Sequence, residues 1–455
     1  MNETTHSHTY DRRGFLRSTV AASGSLVLAA RASGETASFE PGDLRVALIG
    51  AGTQGQMLLN AALKIPGIKF QAVCDIWENY NLQQAARILT GFQQEHRTYA
   101  NYQELLANEK GLDAVLIATP DFCHAEQTVA CLKAGLPVYC EAPMSNTLEG
   151  AKQMVQAAKE TGKLLQIGFQ RRSNPWYRYC YEHILNETKL LGLITAANGQ
   201  WNRPVQPDRG WPKRAPLDEA TLKQYGFQSM QQFRNWQWYK HLGGGPLGEL
   251  GSHQIDVFNW FFNRPPQSVL ASGGTDYYDT KTHEWYDAVM SIVEYGMEGK
   301  TIRALYQTLS SNSNYGYFES LMGDQGTLSL SEVSGRCKVY REPAAPDWDK
   351  WQKLGILAET KESLEQKAKE KEKPKSDAVL DVQETVIPPS YAFPVQFNDP
   401  VHKPHLENFF NAIRGKEKLN CPAETAYVTT VCVLKINEAA EKGEKLEFKP
   451  EDFQV

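Results

Sequence analysis

A glycine-rich segment near the beginning of the chain has the residue types and spacing that bind a diphosphate. Gly50, Gly52 and Gly55 form a Gly-x-Gly-x-x-Gly pattern, with Thr53 and Gln54 before its last glycine. In such a turn the first glycine makes the tight bend and the second lets backbone approach a pyrophosphate. The third lets the following helix pack on the preceding strand. The helix start then offers its N–H groups and positive dipole end to the phosphates.

The elements on either side of this turn are those of a dinucleotide-binding unit. An apolar run, 44–49, precedes the glycines, and a second apolar run ends in Asp75, twenty residues beyond Gly55. An acidic side chain at that place accepts hydrogen bonds from ribose hydroxyls and repels a 2′-phosphate. The sequence therefore predicts NAD as the cofactor and disfavours NADP. The alternative is a glycine-rich turn in another kind of α/β domain.

Length and composition limit the classes of protein. The 455 residues suffice for two domains, and 41% hydrophobic with 22% charged residues is ordinary for a globular protein. A formal charge of −5 gives no reason to expect nucleic acid or an anionic membrane surface as a partner. The pattern shows no internal repeat, no membrane span and no metal site.

The first 32 residues read as an export signal. Arg12 and Arg13 precede Phe15 and an Ala- and Ser-rich apolar segment, 18–30. Ala30-Arg31-Ala32 then offers a small-x-small cleavage site. The pattern predicts a twin-arginine (Tat) signal and a periplasmic or otherwise exported protein. The alternative is a disordered N-terminal tail.

The eight cysteines include no Cys-x-x-Cys pair, and several lie in apolar strand or helix patterns. We interpret them mostly as small buried hydrophobic residues, which suits a route that exports already folded proteins.

Residues 44–168 alternate strand and helix patterns, which predicts a parallel Rossmann sheet. Open α/β sheets bind ligands at the carboxyl ends of their strands. The candidate cofactor contacts that follow strands in this half are Thr119, Pro120, Asp121, His124, Glu141 and Gln170.

From residue 169 to 455 the pattern predicts an α+β domain with an open, mainly antiparallel sheet. Longer strands are predicted at 194–201, 269–273, 288–295, 301–308 and 317–322. An aromatic, glycine-rich segment, 211–262, lies between the first two. A charged excursion at about 345–395, in which Lys and Glu alternate from 361 to 375, is expected to be solvated, and return helices follow within 404–442.

Several motifs in order resemble the Gfo/Idh/MocA oxidoreductases, which include glucose–fructose oxidoreductase and inositol dehydrogenase. The matching residues are the 50–55 turn with Asp75, Ala118-Thr119-Pro120 with His124, Glu141-x-Pro143, 168–171, and 243–245 leading to 251–256. The resemblance covers about 44–322. It implies an open sheet often used for oligomerisation, hence a homodimer or homotetramer, and a sugar or polyol in the cleft between the domains.

Two departures from the family pattern affect the chemistry. The family's Glu-Lys-Pro motif has Ala142 in place of lysine, and Glu249 stands where the family usually has Asp. His253 matches the family's catalytic histidine and is the candidate general base, because removing hydride from a carbinol carbon requires the hydroxyl proton to leave. A spacing of four predicts that Glu249 and His253 share a helical face.

The missing lysine raises the question of which cation could orient the hydroxyl. Arg171 and Lys240 are the candidates, with His241 beside the latter, and each could instead be an ordinary surface charge. Aromatic faces stack on sugar rings, so Trp201 and Tyr239 are candidate substrate contacts, although core packing is equally open for either. Asp256 completes the set of candidate substrate ligands.

Export favours a cofactor that stays bound, since no NAD pool exists outside the cytoplasm. We therefore expect an exported NAD-dependent oxidoreductase that acts on a sugar, polyol or glycoside and recycles its cofactor internally. The alternatives are a redox-neutral NAD-dependent glycosidase or epimerase, a non-catalytic carbohydrate-binding relative, and a cytoplasmic dehydrogenase with a non-functional signal.

Overall fold

The computed structural model describes residues 42–297, 299–361, 364 and 388–455. The predicted Tat signal and most of the alternating Lys and Glu run lie outside the described residues. Within the described ranges, none of the helices combines the length and apolarity that a membrane crossing needs.

The first half is a six-stranded parallel sheet in the order β3-β2-β1-β4-β5-β6. Its strands are β1 (Leu44–Ile49), β2 (Ile68–Cys74), β3 (Arg97–Tyr99), β4 (Ala114–Ile117), β5 (Val138–Cys140) and β6 (Leu165–Ile167). Strand β4 is buried throughout, because helices cover both faces of the sheet. The order reverses between β1 and β4, which places the ligand crevice at the turn after β1.

The helices of this half follow their strands in alternation. They are α1 (Thr53–Ala62), α2 (Gln83–Gly91), α3 (Tyr102–Asn108), α4 (Asp121–Lys133) and α5 (Leu148–Thr161), with a π-helical turn at Glu78–Leu82 before α2. A 3-10 turn at Gln170–Ser173 and α6 (Pro175–Tyr179), which continues into a π-helical segment at Cys180–Glu187, lead into the second half.

The second half is a ten-stranded sheet in the order β14-β15-β13-β12-β11-β7-β10-β9-β8-β16. Every pair is antiparallel except β7 with β10. Its strands are β7 (Ile194–Asn202), β8 (Ser268–Gly274), β9 (Ala288–Met297), β10 (Lys300–Leu309), β11 (Tyr317–Gly323), β12 (Gly326–Leu330), β13 (Lys338–Arg341), β14 (Ala358–Glu359), β15 (Ser390–Ala392) and β16 (Leu446–Glu447). The predicted fold class, a Rossmann domain followed by an open, mainly antiparallel sheet, is confirmed.

The helices of the second half are α7 (Glu219–Gln224), α8 (Met230–Arg234), α9 (Ser252–Phe262), α10 (Asp349–Lys353), α11 (Lys403–Ile413) and α12 (Ala423–Lys442). They pack in three different cores, with α9 and most of α12 against the large sheet, α7 and α8 in the cluster around Trp77, and α11 against β1 and α1. A 3-10 turn at Trp236–Trp238 follows α8, and a π-helical turn at Leu247–Gly251 precedes α9. Two further 3-10 turns lie at Ser334–Arg336 and Pro450–Phe453.

The two return helices hold the halves together. Leu406 and Phe409 of α11 pack in the same core as β1 and α1. Helix α12 contributes its first turns to the core beneath β4–β6, and its later residues, such as Ile436, to the core beneath the large sheet.

All eight cysteines are free thiols and all but Cys123 are buried, which confirms their interpretation as small hydrophobic residues.

Candidate active site

The three glycines after β1 have different steric roles. Gly50 has φ +91°, and a Cβ there would lie 2.6 Å from the carbonyl carbon of Ala118. A Cβ on Gly55 would lie 1.9 Å from the Gly50 oxygen, so α1 can approach β1 only through glycine. A Cβ on Gly52 would meet nothing nearer than the Asn81 amide nitrogen at 3.9 Å. The open space beside Gly52 therefore fits the approach of a pyrophosphate.

Helix α1 begins at Thr53, and no side chain caps its N-terminus at Gly52. Its first N–H groups are thus suited to bind phosphate oxygens.

The Gln54 side chain is bound within the protein. Its Nε2 donates to Glu141 Oε1 at 3.0 Å and lies 3.0 Å from His402 Nε2. Gln54 therefore joins α1 to the end of β5 and to the segment before α11. No sequence pattern around His402 indicated that it would lie beside Gln54.

Asp75 lies at the end of β2 and is 9% exposed. Its carboxylate accepts hydrogen bonds from the backbone N–H groups of Ala51 and Trp77, both at 2.8 Å, and from the Asn81 side chain. Burial raises the pKa of Asp75, while these hydrogen bonds and the charge of Arg234 oppose that rise. The acid therefore anchors the glycine turn as well as lying where a ribose would be expected.

A cavity of about 330 Å³ opens beside Asn81 and the start of α1. Its walls come from α1, the π-helical turn after β2, the first turn of α2 and one residue of α8. The lining residues are Thr53, Gln56, Met57, Asn60, Tyr80, Asn81, Gln84 and Arg234. The cavity, the open Gly52 and the neighbouring acid together fit the adenosine half of NAD.

A segment of the second half, residues 203–242, which we name the clasp, folds over the turn after β2. Trp77 is fully buried, and its indole N–H donates to the Ala215 carbonyl at 2.8 Å. The Arg234 guanidinium lies 5.1 Å from the Trp77 ring centroid, and Phe233 packs edge-on against the same ring. Tyr239, expected to contact substrate, packs in this aromatic cluster instead. The clasp therefore packs against the turn after β2 and contributes Arg234 to the wall of the cavity.

His253 occupies the other end of the cleft, in the first turn of α9. Its ring lies 5.8 Å from the centroids of both Phe169 and Trp201, and its buried Nδ1 has no hydrogen-bond partner within the described chain. Burial lowers the pKa of His253 well below its ordinary value, and the positive charges of Arg171 and Arg203 lower it further. The imidazole is therefore neutral and able to accept a proton.

Glu249 forms an ion pair with Arg203, with 2.8 Å between Oε1 and Nη1. Arg203 also lies 5.4 Å from the centroid of Trp201, the ring that contacts His253. Residues 247–251 form a π-helical turn, so the predicted α-helical spacing of four does not by itself place Glu249 and His253 on one face.

Asp121 begins α4 and is 4% exposed. It accepts a hydrogen bond from the Gly244 N–H at 2.9 Å, and burial, with a smaller contribution from Glu249, raises the pKa of Asp121 to about 8. Gly244 and Gly248 lie so close to Pro143 that a Cβ on either would be in van der Waals contact with its ring. The glycine triplet thus lets the second half approach the ends of β4 and β5.

The structure corrects the expectation that Arg171 is a substrate ligand. Its side chain is 1% exposed and pairs with Glu319 and, at 3.4 Å, with Glu332. Tyr177 donates to the second oxygen of Glu319 at 2.5 Å. A buried guanidinium between two carboxylates is fully compensated, so Arg171 stabilises the junction of the two halves and reaches His253 only through its electric field.

Two further expected substrate ligands are also bound elsewhere. Asp256 is buried, forms a bidentate ion pair with Arg172 at 2.8 and 2.9 Å, and accepts from Thr429 of α12. Lys240 is exposed and pairs with Glu441 at the far end of α12. The sequence pattern could not show either partner, since both lie more than 80 residues away.

Three expected cofactor contacts are structural in this fold. The buried His124 ring lies within 2.9 Å of two backbone carbonyls, those of Pro143 and Thr119, so it joins the ends of β4 and β5. The Thr119 hydroxyl donates to Gln127 within α4. The amide nitrogen of Gln170 donates to Glu332 of the second half. Pro120 occupies the N-cap position of α4, just after β4, and makes no side-chain capping hydrogen bond.

A glycine turn at the start of a helix, a buried acid after β2 and a neutral histidine across the cleft define an NAD-binding oxidoreductase. The chain belongs to the Gfo/Idh/MocA family. The family's model of an NAD-binding Rossmann fold matches residues 44–169, and its model of a C-terminal alpha/beta domain matches 219–448.

Several relatives of known name are inositol dehydrogenases. Inositol 2-dehydrogenase/D-chiro-inositol 3-dehydrogenase of Shouchella clausii is 35% identical over 298 residues, which are 64% of this chain and 72% of that protein. Among solved structures, levoglucosan dehydrogenase in complex with NADH and levoglucosan has a TM-score of 0.66 at 17% identity, covering 90% of this chain and 99% of that one. Myo-inositol 2-dehydrogenase of Lactobacillus plantarum has a TM-score of 0.61 at 18% identity, with 90% and 100% covered. At these identities the structural likeness shows the fold alone.

Proposed function

We propose that this NAD-dependent enzyme oxidises a hydroxyl of a sugar, polyol or glycoside, with His253 as the general base. The observation that carries the proposal is the His253 imidazole beside Phe169 and Trp201, whose buried Nδ1 has no hydrogen-bond partner in the described chain. Gly52 and the start of α1 would hold the phosphates of NAD with Asp75 near its ribose, and the bound cofactor would supply the hydride acceptor. The hydroxyl proton passes to His253 as the same carbon loses hydride, which leaves a ketone.

The charges around His253 suit this proton transfer. Burial keeps the free histidine unprotonated, and the charges of Arg171 and Arg203 act in the same direction although each guanidinium is paired with a carboxylate. Because residue 142 is alanine, no lysine side chain extends from the end of β5 into the site. We therefore expect hydride transfer to be possible but slower than with a lysine in that position.

The clasp supports a cofactor that remains bound between turnovers. Its Arg234 lines the adenosine cavity and stacks on Trp77, and Trp77 is joined to the clasp by its hydrogen bond to Ala215, so this wall of the cavity is held in place. A resident cofactor must regain its oxidised form in the same site. We therefore propose a redox-neutral cycle, in which the ketone is altered at the neighbouring carbon, as in epimerisation or loss of a glycosidic oxygen, or a second sugar takes the hydride.

We further propose that the protein is exported by the Tat route. Arg12 and Arg13 before an apolar segment support this, and seven buried cysteine thiols suit a protein that folds before export. Replacing both arginines with lysine should leave the full chain in the cytoplasm, as measured by cell fractionation. Unchanged export of that variant would contradict the proposal.

A non-catalytic carbohydrate-binding protein is the second candidate, and Ala142 is the observation that favours it. One experiment separates the two functions. The purified protein is denatured and its NAD(H) quantified, and the native protein is scanned at the NADH absorption band with a panel of sugars and glycosides. Bound NAD that a sugar reduces supports the enzyme, with loss of reduction in His253→Asn as the control. Sugar binding without reduction would establish the binding protein.

A further inference from the structure

Among the described residues, the cavity beside the start of α1 is lined by a single charged side chain, and this side chain comes from the second half of the chain. It is Arg234 of α8, and the other lining residues are uncharged at neutral pH. The cavity volume of about 330 Å³ lies at the small end of the range of about 300–1,000 Å³ that ligand pockets span. Residues of both halves therefore meet around one small, open cavity.

The clasp holds the Arg234 side chain in a defined position. Its Nε donates to the Gly210 carbonyl at 2.8 Å, and its guanidinium lies 5.1 Å from the centroid of the Trp77 ring. Trp77 is itself fully buried and donates its indole N–H to the Ala215 carbonyl. Because these contacts order the side chain before a ligand arrives, binding would cost little side-chain entropy.

The two terminal nitrogens of Arg234 are available to a ligand. Within the part of the chain that the structure describes, they make no hydrogen bond and Arg234 forms no ion pair. Burial lowers the pKa of Arg234 and the charge of Arg209 adds to this, whereas the charges of Asp208 and Asp75 oppose it. Asp208 and Asp75 are themselves bound to N–H groups of their own turns. The guanidinium stays protonated, since arginine does not lose its proton in proteins.

A cation in a nucleotide cavity could bind either a phosphate on the ribose or the ring of the base. Asn81, which lines the cavity, donates to the Asp75 carboxylate at 3.3 Å, so a ribose 2′-phosphate here would lie near a second anion. The walls favour the base instead. Tyr80 contributes an aromatic ring and Met57 is 47% exposed, and thioether and guanidinium groups both pack well on aromatic faces. The cavity is therefore suited to adenine.

We propose that Arg234 is a cofactor-binding residue supplied by the second half, and that its guanidinium contacts the adenine ring of NAD. This inference rests on the proposed use of NAD. It adds a residue outside the Rossmann half to the binding site, so that the clasp and the glycine turn hold the same nucleotide.

The test measures nucleotide binding directly. Bound cofactor is removed from the purified protein with activated charcoal, and calorimetry then gives the affinities for NAD, AMP and ribose 5-phosphate. AMP and ribose 5-phosphate differ in the adenine base alone, and 2′,5′-ADP serves as the probe of a ribose 2′-phosphate. The NAD content of the protein as purified is a second readout.

The variants separate the guanidinium from the packing of its side chain. Arg234→Met keeps a long apolar side chain against Trp77 and removes the planar charged group, whereas Arg234→Lys keeps the charge without the plane. Arg214→Gln is the control, because Arg214 is an exposed arginine of the same segment. Thermal melts of the nucleotide-free variants show whether each retains its fold.

Arg234→Met should weaken the binding of AMP and NAD by about 3- to 30-fold, as expected for the loss of a cation–π contact. Its binding of ribose 5-phosphate should not change, and its NAD content as purified should fall. Arg234→Lys should lose part of the affinity for AMP, and Arg214→Gln should match the wild type.

The outcomes separate this inference from the proposed function. Equal AMP affinities in the wild type and Arg234→Met would overturn the inference and leave the proposed oxidation standing. An equal loss of ribose 5-phosphate binding, or tighter Arg234-dependent binding of 2′,5′-ADP than of AMP, would overturn the adenine assignment. Binding of AMP and NAD that depends on Arg234, without reduction of NAD by any sugar, would support the inference and overturn the oxidation.

Discussion

The two ends of the cleft depend on different interactions, backbone sterics at the cofactor end and side-chain charges at the His253 end. At the cofactor end, Gly50, Gly55 and Asp75 act mainly through backbone: two positions exclude any Cβ, and the acid holds the Ala51 and Trp77 N–H groups. At the His253 end, the site is an arrangement of side-chain charges from several distant elements. Backbone sterics tolerate almost no substitution at Gly50 and Gly55, whereas the charges at the His253 end come from several side chains and can vary one at a time, as Ala142 in place of the motif lysine illustrates.

The largest effect is expected from the glycine turn. Gly55→Ala places a Cβ 1.9 Å from the Gly50 oxygen, so the protein should lose its bound NAD and unfold at a lower temperature. Gly52→Ala is the matched control: its Cβ has room in the fold, so Tm of the NAD-free protein should be unchanged while NAD affinity falls by at least about tenfold. NAD content and thermal melts measure both. Equal effects of the two substitutions on Tm would contradict this division of roles.

The next effect is expected at the general base. His253→Asn should lower kcat by about 10²- to 10⁴-fold, because no group remains to take the hydroxyl proton. The amount of bound NAD should not change, since His253 lies at the opposite end of the cleft. His241→Asn, an exposed histidine in the neighbouring segment, should retain full activity. A His253 variant with wild-type turnover would remove the histidine from the mechanism.

A smaller effect should follow from restoring the family's lysine. Ala142→Lys should raise kcat by about tenfold, because a fixed cation lowers the pKa of the substrate hydroxyl. Ala142→Met, of similar length but uncharged, should not. Steady-state or single-turnover NAD reduction measures the difference. If both variants behave alike, the remaining cations already supply the charge that the site requires.

The smallest effect concerns stability and pH. Burial raises the pKa of Asp121 to about 8, so the folded state holds a proton there that the unfolded state has lost above about pH 4. Stability should therefore fall as pH rises from about 4 to 8, and the loss is complete above that range. Asp121→Asn removes this contribution, so its Tm should fall less between pH 6 and 9 than that of the wild type. Parallel Tm profiles would show that Asp121 is ionised in the folded protein.

Local pattern was sufficient for one part of the molecule. The glycine spacing, the apolar run before it and the acid after the next strand predicted the sheet, the turn and the cofactor, because each depends on residues close in sequence. The strand periodicity predicted the larger sheet in the same way, although the parallel pairing of β7 with β10 depends on the order of strands and could not be read locally.

The sequence by itself therefore determined the family and the cofactor, and it indicated His253 as the candidate base, since these depend on residue types at short spacings. Tertiary structure alone decided which charges are available to a substrate. The sequence presents Arg171 and Asp256 as charges free to bind a ligand, yet each is neutralised by a partner more than 80 residues away. Compensation of charge depends on distances in space, and the fold sets those distances.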